Sequence, residues 1–230
     1  MKNFVDIKDF TAVEINALLN SAIENKNHNL SSDEILSGKN VILFFEKNST
    51  RTRLSFDLAV KQLGGSSIIL NGSDIHLSSG KESLSDTIKT FSLYSDGIVM
   101  RVNNHKTIFE TIEVSSVPII NGLSNLSHPC QCMAGLMTII EEKSSLENLN
   151  IAWFGPITNV AHSWIEAYFK NLGFKFSIFS PDRSKDLYLS KVSKYKENLN
   201  VERIIHNQIC LLYTSPSPRD RTRSRMPSSA

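Results

Sequence analysis

Short apolar runs that alternate with helical segments limit most strongly how this chain can fold. Residues 41–46, 67–70, 97–101 and 117–120 are such runs, and the segments between them, such as 82–94, carry apolar residues at helical spacing. A run of this length suits a buried strand, and strands that alternate with helices are typical of a parallel sheet covered by helices. We therefore predict an α/β fold.

A second α/β unit is predicted to follow a helix that opens at Pro129, because proline is favoured in a first helical turn. Residues 150–155 and 174–179 are its predicted strands, and 159–171 is the helix between them. Beyond the second strand we expect the alternation to stop. The predicted fold is thus α/β with two doubly wound parallel-sheet domains, the second incomplete.

The predicted domains are 1–145 and 146–209, and the segment 210–230 stands apart from both. It is rich in serine, proline and arginine and lacks apolar periodicity, which is typical of disordered sequence. Its string LLYTSPSPRDRTRSRMPSSA resembles a translated sequencing adapter joined to a truncated gene. We expect a non-native tail on a C-terminally truncated chain, with a genuine basic tail as the alternative.

The charge and cysteine content favour a cytoplasmic protein without a nucleic-acid or membrane partner. The net charge is +2, and the excess comes from four arginines against one aspartate in 210–230, so that the rest of the chain is nearly neutral. A nucleic-acid-binding protein that uses this tail remains an alternative. Cys130, Cys132 and Cys210 make neither a disulfide framework nor a zinc-ligand set. No apolar run approaches the roughly 20 residues that span a bilayer.

A phosphate site is predicted where the first strand turns into its helix, at Ser49, Thr50, Arg51 and Thr52. A helix N-terminus offers unpaired N–H groups and the positive end of a dipole. Two kinds of donor, hydroxyl and guanidinium, add hydrogen bonds to a doubly charged phosphate. The alternative is that Ser49 only caps the helix and that the arginines are solvated.

A second donor group is predicted at neighbouring strand ends. His128 and Gln131 are three residues apart at a strand-to-helix junction, so both can point to one small polar group such as a carbonyl oxygen. Arg101 ends the apolar strand 97–101. The carboxyl ends of parallel strands share one edge of a sheet, where ligands bind. The edge would be rich in donors and poor in acids, which suits a small phosphorylated carbonyl compound.

The order of five segments resembles the aspartate/ornithine carbamoyltransferase family. They are FFEKNSTRTRLSF, LGG, KESLSDT, DGIVMR and VPIINGLSNLSHPCQ, and the resemblance is close over residues 40–142 and looser to about 180. It implies that 1–145 is a carbamoyl-phosphate-binding domain and that 146–209 is part of an amino-acid-binding domain. The reaction implied is transfer of a carbamoyl group to an amine, without a metal or an organic cofactor.

The resemblance also implies roles for individual residues. The phosphate of carbamoyl phosphate would be held by Ser49, Thr50, Arg51 and Thr52, and its carbonyl end by Arg101, His128 and Gln131. Arg101, His128 and Thr52 would be the catalytic donors to the developing oxyanion. His76 would reach a neighbouring subunit's site across a homotrimer interface, with Lys81 as a weaker candidate and an exposed loop as the alternative.

Ornithine is the acceptor implied by the segments NGLSN and DIHL, and Asn159 would bind it or merely cap a helix. Pro156, Ile157 and Gly135 depart from the family pattern, since the family usually has aspartate at the last position. The later acceptor-binding segments of the family are missing, so weak activity is expected for this chain. Aspartate or another amine as acceptor, or a non-catalytic carbamoyl-phosphate-binding fragment, remain alternatives.

Overall fold

The computed structural model describes residues 2–27, 35–73, 82–194 and 205–206. Its elements in chain order are a 3-10 helix Ile7–Asp9, α1 Ala12–Asn27, β1 Asn40–Phe45, α2 Thr50–Gln62, β2 Ser66–Asn71, α3 Leu84–Tyr94, β3 Gly97–Arg101, α4 His105–Val114, β4 Ile119–Leu123, α5 Pro129–Lys143, β5 Asn150–Phe154, α6 Asn159–Phe169, β6 Lys175–Phe179, α7 Asp182–Lys194 and β7 Ile205–His206. No helix among these residues is both long and apolar enough to cross a bilayer.

The first sheet is parallel, with the strand order β2-β1-β3-β4. Its central strand β1 is buried from Val41 to Phe45, which explains why this run is continuously apolar rather than alternating. Helices from the connecting segments pack on the sheet, with α2 against β1 and β2 and with α3 and α4 against β3 and β4 respectively. The predicted α/β class is confirmed.

The prediction for the fourth strand was wrong at both ends. β4 begins at Ile119 and continues to Leu123, whereas the apolar run placed the strand at 117–120. Its polar residue Asn121 is fully buried, and its Nδ2 donates to the carbonyl of Val5 at 3.0 Å and to Oγ of Ser127 at 2.9 Å, so the amide N–H groups are satisfied inside the strand. Apolar periodicity alone does not detect such a residue.

The second sheet is also parallel and has the order β5-β6-β7. The expectation that the alternation stops after the second strand was therefore wrong, because α7 and β7 continue it. The apolar pattern of α7 is weak, because most of its residues are charged or polar, although Tyr188 is buried. The tail at 210–230 lies outside the described residues.

The N-terminal segment joins the two sheets. Phe4 pairs with the outer edge of β4, through hydrogen bonds of 2.9 Å to the carbonyl of Ile119 and 2.8 Å from the N–H of Asn121. Three residues on, Ile7 is fully buried in the core around the second sheet. Residues 4–7 thus cross from one half of the molecule to the other, which places the intervening Asp6 between them.

Candidate functional site

A cleft of about 760 Å³ lies where α2 and α5 begin, at the carboxyl edge of the first sheet. Of the side chains predicted from sequence, it is lined by Ser49, Arg51, Thr52, Arg101, His128 and Gln131. Ser55, Phe56, Ala59, Leu123, Cys130 and Ala134 complete the lining. None of the described lining residues is acidic, so the cleft is a positively charged site with many donors.

The N-terminus of α2 forms the end of the cleft near Arg51. Ser49 caps this helix, and its hydroxyl accepts a hydrogen bond from the N–H of Thr52 at 3.4 Å. The first turn carries no acid, and Arg51 is exposed. The capping role given as the alternative for Ser49 is present, and Ser49 lines the cleft as well.

Arg101 lies at the end of β3 and bonds to the start of α2. Its Nη1 donates to Oγ1 of Thr52 at 2.9 Å, while its Nε is buried without a hydrogen-bond partner. Since Oγ1 of Thr52 accepts this bond, the Thr52 hydroxyl proton is available for another acceptor. Burial lowers the pKa of Arg101, but a guanidinium stays charged at neutral pH.

An irregularity in the sheet helps to aim Arg101. The register between β3 and β4 shifts after Met100, so that Arg101 pairs with Leu123 and Gly122 is passed over. A Cβ on Gly122 would lie 3.2 Å from the carbonyl oxygen of Met100 and 3.3 Å from the ring of Phe56. Glycine therefore lets β3, β4 and α2 approach closely at the base of the cleft.

His128 enters the cleft from the residue before α5. Its N–H donates to Oγ of Ser163 at 3.0 Å, its ring makes no capping bond, and its Nδ1 is buried without a partner. The pKa of His128 is lowered to about 4, chiefly by burial and further by the charge of Arg101. The ring is thus neutral at pH 7, and a neutral imidazole offers one donor and one acceptor.

We expect His128 to remain neutral well below the pH at which an ordinary histidine titrates. Its folded-state pKa lies below the unfolded value, so this group destabilises the fold as pH falls from about 6.5 towards 4. A titration of the histidine ring resonances by NMR should give a midpoint for His128 of about 4. A midpoint near 6.5, unchanged in Arg101→Met, would contradict the burial of the ring beside Arg101.

Sequence reasoning missed the apolar wall of the cleft. Phe56 and Ala59 lie on α2 at helical spacing from Thr52, which is the signal that could have placed them on one face. Cys130 was assigned no role, yet it lines the cleft, and its thiol donates to the carbonyl of Asn121 at 3.5 Å. Burial raises the pKa of Cys130 to about 12, so it is a thiol that does not ionise at neutral pH.

Two predicted residues, Thr50 and Asn159, do not line this cleft. Thr50 lines the neighbouring depression together with Arg53. Asn159 is the first residue of α6, where the cap position belongs to Thr158, and its amide donates to the carbonyl of Ser124 at 2.8 Å. His76, like Lys81, lies outside the described residues.

The described residues contain no group of three or more histidine, cysteine, aspartate or glutamate side chains that could hold a metal ion. The cleft instead combines a helix N-terminus, two guanidinium groups, hydroxyls, an amide and a neutral imidazole. Such donors can bind a phosphate at one end and stabilise negative charge on a carbonyl oxygen at the other.

The chain is similar in sequence to proteins of known family. The family model described as aspartate/ornithine carbamoyltransferase, carbamoyl-P binding domain, matches residues 2–141. An ornithine carbamoyltransferase of Rhodopseudomonas palustris is 38% identical over 187 residues, which are 78% of this chain and 59% of the relative. One from Methanocaldococcus jannaschii is 44% identical over 163 residues, 71% of this chain and 53% of the relative.

Solved structures give the same result. The ornithine carbamoyltransferase from Pyrococcus furiosus has a TM-score of 0.76 at 36% identity, covering 87% of this chain and 64% of that one. A mitochondrial ornithine carbamoyltransferase from Coccidioides immitis has a TM-score of 0.75 at 33% identity, covering 86% and 66%. The chain therefore spans less than two thirds of the length of these relatives.

Proposed function

The chain belongs to the aspartate/ornithine carbamoyltransferase family, and from this we propose that its cleft binds carbamoyl phosphate. We further propose that the enzyme transfers the carbamoyl group to the δ-amine of ornithine, giving citrulline and phosphate. The observation that carries the proposal is the bond from Arg101 to Thr52. It joins the predicted phosphate end of the cleft to the predicted carbonyl end.

The phosphate end is the start of α2. Its free N–H groups and dipole favour an anion, and the absence of acids in the first turn leaves this field uncompensated. The exposed side chain of Arg51 can turn towards a phosphate without leaving a packed core. In this proposal the phosphate is held by Ser49, Thr50, Arg51 and Thr52, with Thr50 contributing from the helix terminus.

The carbonyl end is formed by Arg101, His128 and Gln131. As the acceptor amine attacks the carbonyl carbon, negative charge grows on the carbonyl oxygen, the new C–N bond replaces the C–O bond to phosphate, and the proton that the amine loses passes to the departing phosphate. A charged guanidinium and a neutral imidazole N–H would stabilise that oxygen, with the Thr52 hydroxyl as a third donor. The phosphate group that departs is already bound where the N-terminus of α2 and Arg51 carry positive charge. The remaining work is to orient two reactants.

The proposal extends to the acceptor and to the assembly. Asn159 lies at the start of α6, facing the turn after β4, where it would contact ornithine once the bond to Ser124 is exchanged. His76 would act in a neighbouring subunit of a cytoplasmic homotrimer. The division at 1–145 and 146–209 into carbamoyl-phosphate-binding and partial ornithine-binding domains follows the two sheets.

Calorimetric titration of the chain with freshly prepared carbamoyl phosphate tests the proposal. We expect saturable binding that inorganic phosphate displaces competitively, because the two share the α2 terminus. Conversion of ¹⁴C-carbamoyl phosphate with ornithine or aspartate then separates the acceptors. Labelled carbamoyl aspartate in place of citrulline would favour the aspartate alternative. Binding of neither phosphate compound would contradict the assignment of the cleft.

A further inference from the structure

We propose that Asp6 is a positioning residue, which sets His128 in place by fixing the turn 124–127 before it. This inference rests on the proposed function, because His128 matters only if it contacts the carbamoyl group. Asp6 was not among the residues singled out from sequence. It lies on the segment that crosses between the two sheets, and its side chain is fully buried.

One connection between Asp6 and the turn runs through His105. Nε2 of His105 lies 3.1 Å from Oδ2 of Asp6, and its Nδ1 lies 2.7 Å from Oγ of Ser124. The N–H of His105 also donates to Oδ1 of Asn125 at 2.9 Å. The start of α4 is thus tied to Asp6 on one side and to the first two residues of the turn on the other.

The other connection is a direct hydrogen bond between Asp6 and Ser127. Oγ of Ser127 donates to Oδ1 of Asp6 and accepts from Nδ2 of Asn121 at 2.9 Å. Ser127 is the residue immediately before His128. The two oxygens of one carboxylate therefore reach both ends of a four-residue turn, one directly and one through His105.

The order Asp6, His105, Ser124 has the hydrogen bonds of a nucleophilic triad, but Ser124 is not built to attack a substrate. It is fully buried, and its Oγ accepts from the N–H groups of Leu126 at 3.2 Å and Ser127 at 3.1 Å. An oxygen held by these donors organises the backbone of the turn. The chain of bonds therefore acts on position rather than on a covalent step.

The turn 124–127 positions two residues of the proposed site, His128 and Asn159. After Ser127 the chain enters the cleft at His128, whose N–H is bonded to Ser163 on α6. The carbonyl of Ser124 accepts the bond from Asn159. A shift of this turn would move His128 at the carbonyl end of the cleft. The N-terminus of α2 would stay in place, because it follows β1 and not the turn.

The carboxylate of Asp6 is charged although it is buried. Burial alone raises the pKa of Asp6, but the hydrogen bonds from His105 and Ser127 and the charge of Lys8, 3.5 Å away, outweigh it and lower the pKa. An ionised acceptor makes stronger bonds than a neutral one. Asp6→Asn keeps the shape of the side chain and removes that charge, which makes it the variant of choice.

The test uses calorimetry on the whole chain with carbamoyl phosphate and, separately, with inorganic phosphate. We expect Asp6→Asn to weaken carbamoyl phosphate binding about tenfold, the size of one lost orienting hydrogen bond, and to change inorganic phosphate binding less than about twofold. Ser127→Ala should show the same split, because it removes the direct bond to the turn and keeps the carboxylate of Asp6. Asp96→Asn is the matched control, since this aspartate bonds Lys39 at the opposite edge of the sheet and should change neither affinity.

Equal weakening of both ligands, or no weakening of either, would overturn the positioning role. The ring resonances of His128 give a second measurement that needs no ligand. They should shift in Asp6→Asn and Ser127→Ala and stay in place in Asp96→Asn. If the unaltered chain binds neither anion, the proposed function fails on its own, and unshifted His128 resonances would separately refute the positioning by Asp6.

Discussion

Arg51→Ala is expected to lower carbamoyl transfer by about a thousandfold while the protein stays folded. Arg51 is exposed in the first turn of α2, so its removal leaves no cavity and no unpaired buried group. In the proposed reaction, the lost guanidinium would otherwise hold the phosphate as it departs with its charge. The rate should be measured in a chimera that adds the part of the Pyrococcus furiosus relative that this chain does not cover.

Arg53→Ala provides the matched control. Arg53 is also exposed on α2, two residues further on, but it faces the neighbouring depression rather than the cleft. Its removal should change the rate by less than about threefold. The circular dichroism melting curves of both variants should match that of the parent. Similar losses in the two variants would mean that general positive charge, and not contact with phosphate, explains the effect.

The sequence predicted buried strands and the residues at their carboxyl ends most accurately, because one physical pattern determines each of them. Continuous apolar runs occur where both faces of a strand are covered, so β1 and β3 could be predicted within one residue of their ends. Parallel strands share a carboxyl edge, and this rule alone predicts that Ser49, Arg101 and His128 lie together, as they do in the cleft.

Hydrogen bonds between polar residues far apart in the chain could not be predicted from local sequence patterns. Asp6 and Ser127 are separated by 121 residues, and the bond between them exists only because the N-terminal segment pairs with β4. Likewise, β4 runs through buried Asn121, whose amide donates to the carbonyl of Val5, 116 residues away. A polar residue is predicted to be exposed until its partner is known, and the partner depends on the complete fold.

The departure from the family pattern at Gly135 has a physical explanation in the packing of α5 on α6. A Cβ on Gly135 would lie 2.7 Å from Cζ2 of Trp164 on α6, closer than real Cβ contacts allow. The indole of Trp164 itself packs against Phe174 and Phe176, with ring centroids 6.0 Å and 6.2 Å away. Gly135 and Trp164 therefore form one contact. An aspartate introduced at position 135 alone should not be accommodated while Trp164 is present.

Gly135→Asp is accordingly expected to destabilise the chain by about 3 kcal/mol, since overpacking a rigid ring adds to the cost of placing a carboxylate beside apolar groups. Urea unfolding followed by circular dichroism gives the free energy of unfolding. Thr138→Asp, an exposed site on the same helix, should change it by less than about 0.5 kcal/mol.

A double-mutant cycle with Trp164→Ala isolates the contact itself. Removing the indole costs about 3 kcal/mol on its own because it leaves a cavity between α5, α6 and β6. In that background the aspartate occupies space that the indole has vacated, so Gly135→Asp should cost about 2 kcal/mol less than it does in the parent. Strictly additive costs would show that the aspartate is disfavoured by something other than Trp164. The glycine would then be independent of the tryptophan, and the departure at 135 would need an explanation within α5 alone.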